Sequence, residues 1–191
     1  MTPTDPCFEA AAIILAGGES RRMGQNKCLL PYRGVPLIQH VAAQLVPRFQ
    51  QVSVSTNMPE AYAFLGLPMV PDQTPDRGPL MGIVSSLTRS QHGWNFVVAA
   101  DIPELPHALI SELYEKREGH NCVVPRTSTG HFQPLFAFYH RSLLRPMEAC
   151  LDTGKHRAID GILVADRCEL QIDEKLLANL NTPEDYANAN R

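Results

Sequence analysis

Ala12 to Leu30 reads AIILAGGESRRMGQNKCLL. The apolar run Ala11-Ala12-Ile13-Ile14-Leu15-Ala16 is short and continuous, as in a strand buried on both faces. It stops at Gly17-Gly18 and gives way to a polar loop holding Arg21, Arg22 and Lys27 against one acid, Glu19. Glycine lets backbone N–H groups approach a ligand because no Cβ stands in the way. Cations beside such a turn suit an anion, and polyphosphate is the natural candidate.

Outward from this loop, apolar runs alternate with amphipathic stretches. Strands are expected at about 11–16, at Val52 and Val54 ending at Asn57, at 67–70 ending at Pro71-Asp72, and at 94–100 ending at Asp101. Further strands are expected at 121–125, 133–139 and 168–172. Helices fit between them: one opened by Pro36, with Leu37, Ile38, Val41, Ala42 and Leu45 at helical spacing, then 61–64, 79–87, 107–117, 142–151 and 156–163. A last helix over 182–189 has Thr182 as its cap and Pro183 at its first position. Strand and helix in alternation predict an α/β fold: a single three-layer Rossmann-like domain with a mostly parallel central sheet. Residues 1–10 read as a flexible leader and 11–191 as the domain. Ligands of such sheets bind beyond the carboxyl ends of the strands, so Asn57, Asp72 and Asp101 become candidates for one cleft.

Composition narrows the function classes. The 191 residues are 44% hydrophobic and 19% charged with a formal net charge of -3. That is a globular composition, without the basic excess of a general nucleic-acid binder. Five scattered cysteines with no C-x-x-C pair point to reduced thiols in the cytoplasm. Neither a signal segment nor an apolar run of about 20 residues appears, so no membrane is expected. The seven histidines show no metal-ligand spacing.

Two familiar phosphate loops are excluded. After Gly18 the next glycine is Gly24 and Lys27 stands three further on, which is not G-x-x-x-x-G-K-[ST]; there is no G-x-G-x-x-G either. The observed string is L-A-G-G-x-S-x-R-M-G-x-x-K-x-L-L-x-x-x-G-x-P-L from Leu15 to Leu37. It resembles the signature of the MobA-like NTP transferase family. Gly78-Pro79-Leu80-x-Gly82, Ala100-Asp101-x-Pro103, Gln133-Pro134-Leu135 and Asn181-Thr182-Pro183-Glu184-Asp185 continue the resemblance in order along almost the whole chain.

The resemblance implies an enzyme, a Mg²⁺-dependent guanylyltransferase that moves GMP from GTP to molybdopterin carrying molybdenum and releases pyrophosphate. Carried over residue by residue, it implies that Leu15, Ala16, Gly17 and Gly18 contact the nucleotide. Arg22 and Lys27, with Arg21, would hold the β- and γ-phosphates. Asn57 and Asp72 would contact the guanine nucleotide. Asp101 would hold Mg²⁺, with Mn²⁺ as the alternative ion. Asn181 stands where many relatives place a second metal-ligating Asp, and is a weaker, neutral ligand. The acceptor pocket is not identified; Arg126–His131 and the helix after Arg141 are candidate walls. Other proteins of molybdenum-cofactor synthesis, or acceptors of the product, are implied partners.

The chemistry agrees with these residue types. Both reactants are anions, so the barrier is chiefly charge repulsion and misplacement, which fixed cations and a metal relieve. Mg²⁺ asks for one or two carboxylates plus phosphate oxygens and waters. Relatives using CTP carry L-A-A-G where this chain has Leu15-Ala16-Gly17-Gly18; glycine at 17 leaves more room for a purine. A CTP-dependent or sugar-phosphate transferase is the first alternative. A non-catalytic nucleotide-binding or cofactor-delivery protein is the second.

Overall fold

A computed structural model describes residues 7–17, 26–178 and 180 of the chain. Seven strands form one sheet in the order β5-β4-β1-β6-β8-β7-β9. They are β1 (Phe8–Leu15), β4 (Phe49–Ser55), β5 (Met69–Val70), β6 (Trp94–Ala99), β7 (Cys122–Thr127), β8 (Phe136–His140) and β9 (Arg167–Ile172). β1, β4, β5 and β6 are mutually parallel, β8 runs antiparallel to β6 and β7, and β9 pairs parallel with β7. The expected mostly parallel α/β sheet is what the chain builds.

Alternate residues of the strands serve two cores. Ile13, Leu15, Val97, Ala137 and Tyr139 face α3 (Gly78–Arg89), α5 (Leu144–Asp152) and α6 (Ala158–Leu163). Ala12, Ile14, Phe96, Val98, Phe136 and Phe138 face α1 (Leu37–Leu45) and α4 (His107–Glu115). Strands buried on both sides must be apolar at both parities, which is why β1 shows no polar alternation. All five periodic residues expected of α1 are buried. α2 (Pro59–Tyr62) is a single turn continued by a 3₁₀ turn over Ala63–Leu65.

Several boundaries differ from expectation. β1 starts at Phe8, so Phe8, Glu9 and Ala10 are strand residues although composition assigned them to the leader. Phe8 lies in the aromatic cluster with Phe49, Tyr114 and Phe138, a tertiary contact that one flanking Glu9 hides from local reading. β4 ends at Ser55 rather than Asn57, β6 at Ala99 rather than Ala100, and β8 starts at Phe136 rather than Gln133. A small hairpin, β2 (Pro31–Tyr32) and β3 (Val35–Pro36), precedes α1; its turn residues Arg33 and Gly34 both have positive φ, 49° and 85°. Residues 1–6 and the expected helix over 182–189 lie outside the described residues.

Candidate nucleotide site

The sheet reverses direction of growth at β1. The chain goes from β1 to β4 and β5 on one side, then returns to place β6 on the other. A crevice opens at such a switch point, outside the carboxyl ends of the strands. The register aligns those ends: Ser55 pairs with Val70, Leu15 with Ser55, and Leu15 with Ala99. Ala16 N–H donates to Ser55 O at 3.0 Å, Thr56 N–H to Val70 O at 2.9 Å and Ala100 N–H to Leu15 O at 3.1 Å, so the ladder holds to its last rung.

Asp72, Asn57, Gly17 and Asp101 each stand two residues past this common row. The sheet therefore sets four residues far apart in sequence along one rim. At about 4.8 Å per strand, the rim from β5 to β6 runs about 14 Å. Asn57 and Asp72 are tied together: Asn57 Nδ2 donates to Asp72 Oδ2 and the Asp72 backbone N–H donates to Asn57 Oδ1, both at 2.8 Å.

Gly17 is exposed, and a Cβ built on it meets no described atom within 4 Å. Gly82 is the opposite case. A Cβ there would lie 2.8 Å from Ser55 Oγ and 2.9 Å from Leu15 Cδ2, so its absence lets α3 press against the ends of β1 and β4. The loop after Asp72 is held to the same helix by Gln73 N–H donating to Ser85 Oγ at 2.9 Å.

Asp101 is partly buried, and its Oδ1 has no hydrogen-bond partner among the described residues. Burial raises its pKa above the ordinary aspartate value, while its own backbone N–H and the positive charge of Lys27 pull the other way. Lys27 opens a 3₁₀ turn, Lys27–Leu29, and its charge is felt at Asp101. A hard, desolvated carboxylate oxygen without a donor suits a divalent cation. No cluster of three or more His, Cys, Asp or Glu able to hold a metal occurs among the described residues. A single carboxylate can hold a hard divalent cation such as Mg²⁺ when phosphate oxygens and water complete its shell. Gly18, Arg21, Arg22 and Asn181 lie outside the described residues.

Beyond Asp101 the same rim continues along the other half of the sheet. Ala99 N–H donates to Leu135 O at 2.9 Å, which brings Gln133–Leu135 alongside. The turn after β7 is locked: Thr127 Oγ1 lies 2.8 Å from Thr129 Oγ1, and His131 N–H donates to Thr127 Oγ1 at 3.1 Å. An open cavity of about 640 Å³ lies there, lined by Ser128, Ile172, Asp173, Glu174 and Lys175.

Reading the sequence missed Asn26 and Tyr62. Asn26 caps the turn that carries Lys27, and Tyr62 bonds to Asn26. An Asn directly before a short apolar segment is a capping signal and could have been read. The Tyr62 contact, 36 residues away, could not.

Comparison with known proteins follows this geometry. A family model described as the MobA-like NTP transferase domain matches residues 12–167. A protein of Pelotomaculum thermopropionicum named probable molybdenum cofactor guanylyltransferase is 37% identical over 95% of this chain and 92% of its own length. The molybdenum cofactor guanylyltransferase of Serratia proteamaculans is 32% identical over 93% of this chain and 92% of its own. Among solved structures, the molybdopterin-guanine dinucleotide biosynthesis protein A of Archaeoglobus fulgidus superposes with a TM-score of 0.80 at 22% identity, covering 94% of this chain and 96% of that one.

Proposed function

The chain belongs to the MobA-like NTP transferase family, and with nucleotidyl transfer as its activity we propose that it moves GMP from GTP to molybdopterin carrying molybdenum. The products are pyrophosphate and the guanine dinucleotide form of the cofactor. The observation that carries this reading is the aligned rim of Asp72, Asn57, Gly17 and Asp101 at the switch point, with the positive charge of Lys27 felt at Asp101.

GTP lies along the β5-β4-β1 side in this reading. Asn57 and Asp72 meet the nucleoside, and the backbone of Leu15, Ala16, Gly17 and Gly18 lines the nucleotide. Lys27, Arg22 and Arg21 hold the β- and γ-phosphates and neutralise the pyrophosphate as it leaves. Asp101 would hold Mg²⁺, or Mn²⁺ in its place, with Asn181 as an auxiliary ligand, and the ion would supply charge neutralisation for the reacting phosphates. A terminal phosphate oxygen of the acceptor attacks the α-phosphorus. That P–O bond forms as the bond to the β-phosphate oxygen breaks, and no covalent protein intermediate is needed.

The acceptor approaches from the β8-β7-β9 side, since in-line attack demands the face opposite pyrophosphate. The locked turn at Thr127–His131 and the cavity beside it offer a wall for a bulky pterin. No helix among the described residues is long and apolar enough to cross a membrane, and all five cysteines are free. In this reading the enzyme is cytoplasmic and passes its product to other proteins of cofactor synthesis or use.

The test is pyrophosphate release from purified protein with molybdenum-loaded molybdopterin and GTP, CTP or UTP in turn. Turnover with GTP alone is the expected result. Turnover with CTP but not GTP would replace the guanylyl reading by a cytidylyl one. Nucleotide binding with no release of pyrophosphate would favour a delivery protein.

A further inference from the structure

Lys27 is not carried on an unsupported loop. Asn26 Oδ1 accepts the Cys28 backbone N–H at 3.1 Å and caps the turn Lys27–Leu29. The Asn26 amide also faces the Tyr62 hydroxyl: Nδ2 donates to it at 2.8 Å, and Oδ1 lies 3.1 Å from it. Tyr62 is 0% exposed. Its hydroxyl is further flanked by the Cys28 thiol, and burial raises both pKa values, that of Cys28 to about 11. Both groups are therefore neutral and act through hydrogen bonds alone at physiological pH.

Tyr62 closes α2, which begins at Pro59, two residues after Asn57. One buried hydroxyl thus links the turn bearing Lys27 to the segment bearing Asn57. Packing alone would be served by a phenyl ring, and Cys28 and Leu30 already supply apolar anchorage to the same core. A buried hydroxyl must be matched by a partner or it destabilises the fold. Here the partner is the residue adjacent to Lys27, so the turn's backbone is held while the long lysine stem keeps its reach.

We infer that Asn26 and Tyr62 are positioning residues that set Lys27 for the nucleotide's polyphosphate and couple it to the nucleoside end of the site. The inference rests on the reading of Lys27 as a phosphate ligand. A double-mutant cycle on the full chain tests it, with GTP affinity measured by calorimetry and turnover measured alongside. Tyr62→Phe in the otherwise unchanged protein weakens GTP binding about tenfold, because small displacements of a charged group are costly. In a Lys27→Ala background the same change costs less than about twofold, since there is no ammonium left to misplace.

Equal losses in both backgrounds, or no loss in either, would overturn the clamp. Should Tyr62→Phe not fold, Asn26→Ala takes its place in the cycle with the same two expectations. The underlying reading fails separately: Lys27→Ala would then bind GTP as tightly as the unchanged protein. When Lys27→Ala is weakened and the cycle is additive, only the clamp fails.

Discussion

Asn57 and Asp72 exchange two hydrogen bonds of 2.8 Å, one from a side-chain amide to a carboxylate and one from a backbone N–H to the amide oxygen. The pair joins the loops beyond two neighbouring parallel strands, β4 and β5. Each loop alone would be free to swing; together they present one polar edge. Asn57→Ala removes both bonds at once. The expected outcome is a rise of about tenfold in the Michaelis constant for GTP, with a stability change of no more than about 1 kcal/mol, because the pair is solvent-accessible. Steady-state kinetics and a thermal melt measure the two effects independently.

Gly17 offers a cleaner probe of base choice. A methyl group there meets no described protein atom, so Gly17→Ala leaves the melting temperature within about 2 °C of the parent. The same methyl projects into space assigned to the nucleotide. The ratio of kcat/KM for GTP over CTP is expected to fall by about tenfold, within the 1–3 kcal/mol that one added methyl controls. An unchanged ratio would remove Gly17 from base discrimination.

Asp101 carries opposite consequences for function and stability. Its carboxylate is partly buried, and desolvation dominates over the favourable charge of Lys27. Asp101→Asn keeps the shape and removes the charge. Turnover with Mg²⁺ is expected to fall by at least about a hundredfold, while the ligand-free protein melts at a higher temperature at neutral pH. A variant that keeps turnover would contradict the assignment of Asp101 to the metal.

Gly78 begins α3 with φ +65°, and a Cβ there would stand 2.7 Å from the backbone oxygen of His156. Leu80 N–H donates to that same oxygen at 3.2 Å. Backbone cannot yield as a side-chain tip can. Gly78→Ala is expected to cost at least about 2 kcal/mol, combining left-handed strain with the clash, and to read out as a lower denaturant midpoint.

Asp160 reports on acid stability. Its side chain is 7% exposed, and it accepts the Arg157 backbone N–H at 2.9 Å at the start of α6. Burial pushes its pKa up, but the Arg157 backbone N–H, the Arg157 guanidinium and Lys155 together leave it below the ordinary aspartate value. A depressed folded-state pKa stabilises the fold above the unfolded value and is lost as pH falls through the folded one. Asp160→Ala is expected to lose about 1 kcal/mol at neutral pH and to converge with the parent as the pH falls through and below the ordinary aspartate range. Urea melts across that pH range measure the convergence.

Local sequence determined the layered α/β plan, because an apolar strand buried on both faces and a helix with one apolar stripe each carry their period within a few residues. It also determined the chemistry available to the site: Gly17 after β1, Lys27 on its loop, and a polar residue after each of β4, β5 and β6. Only the tertiary structure decided that Asp72, Asn57, Gly17 and Asp101 stand in one row, since register between parallel strands is set by packing across the whole sheet. The strand status of Phe8 and the bond from Tyr62 to Asn26 belong to the same class. Each depends on a partner tens of residues away, and no local pattern records a contact whose free energy exists only after the chain has closed on itself.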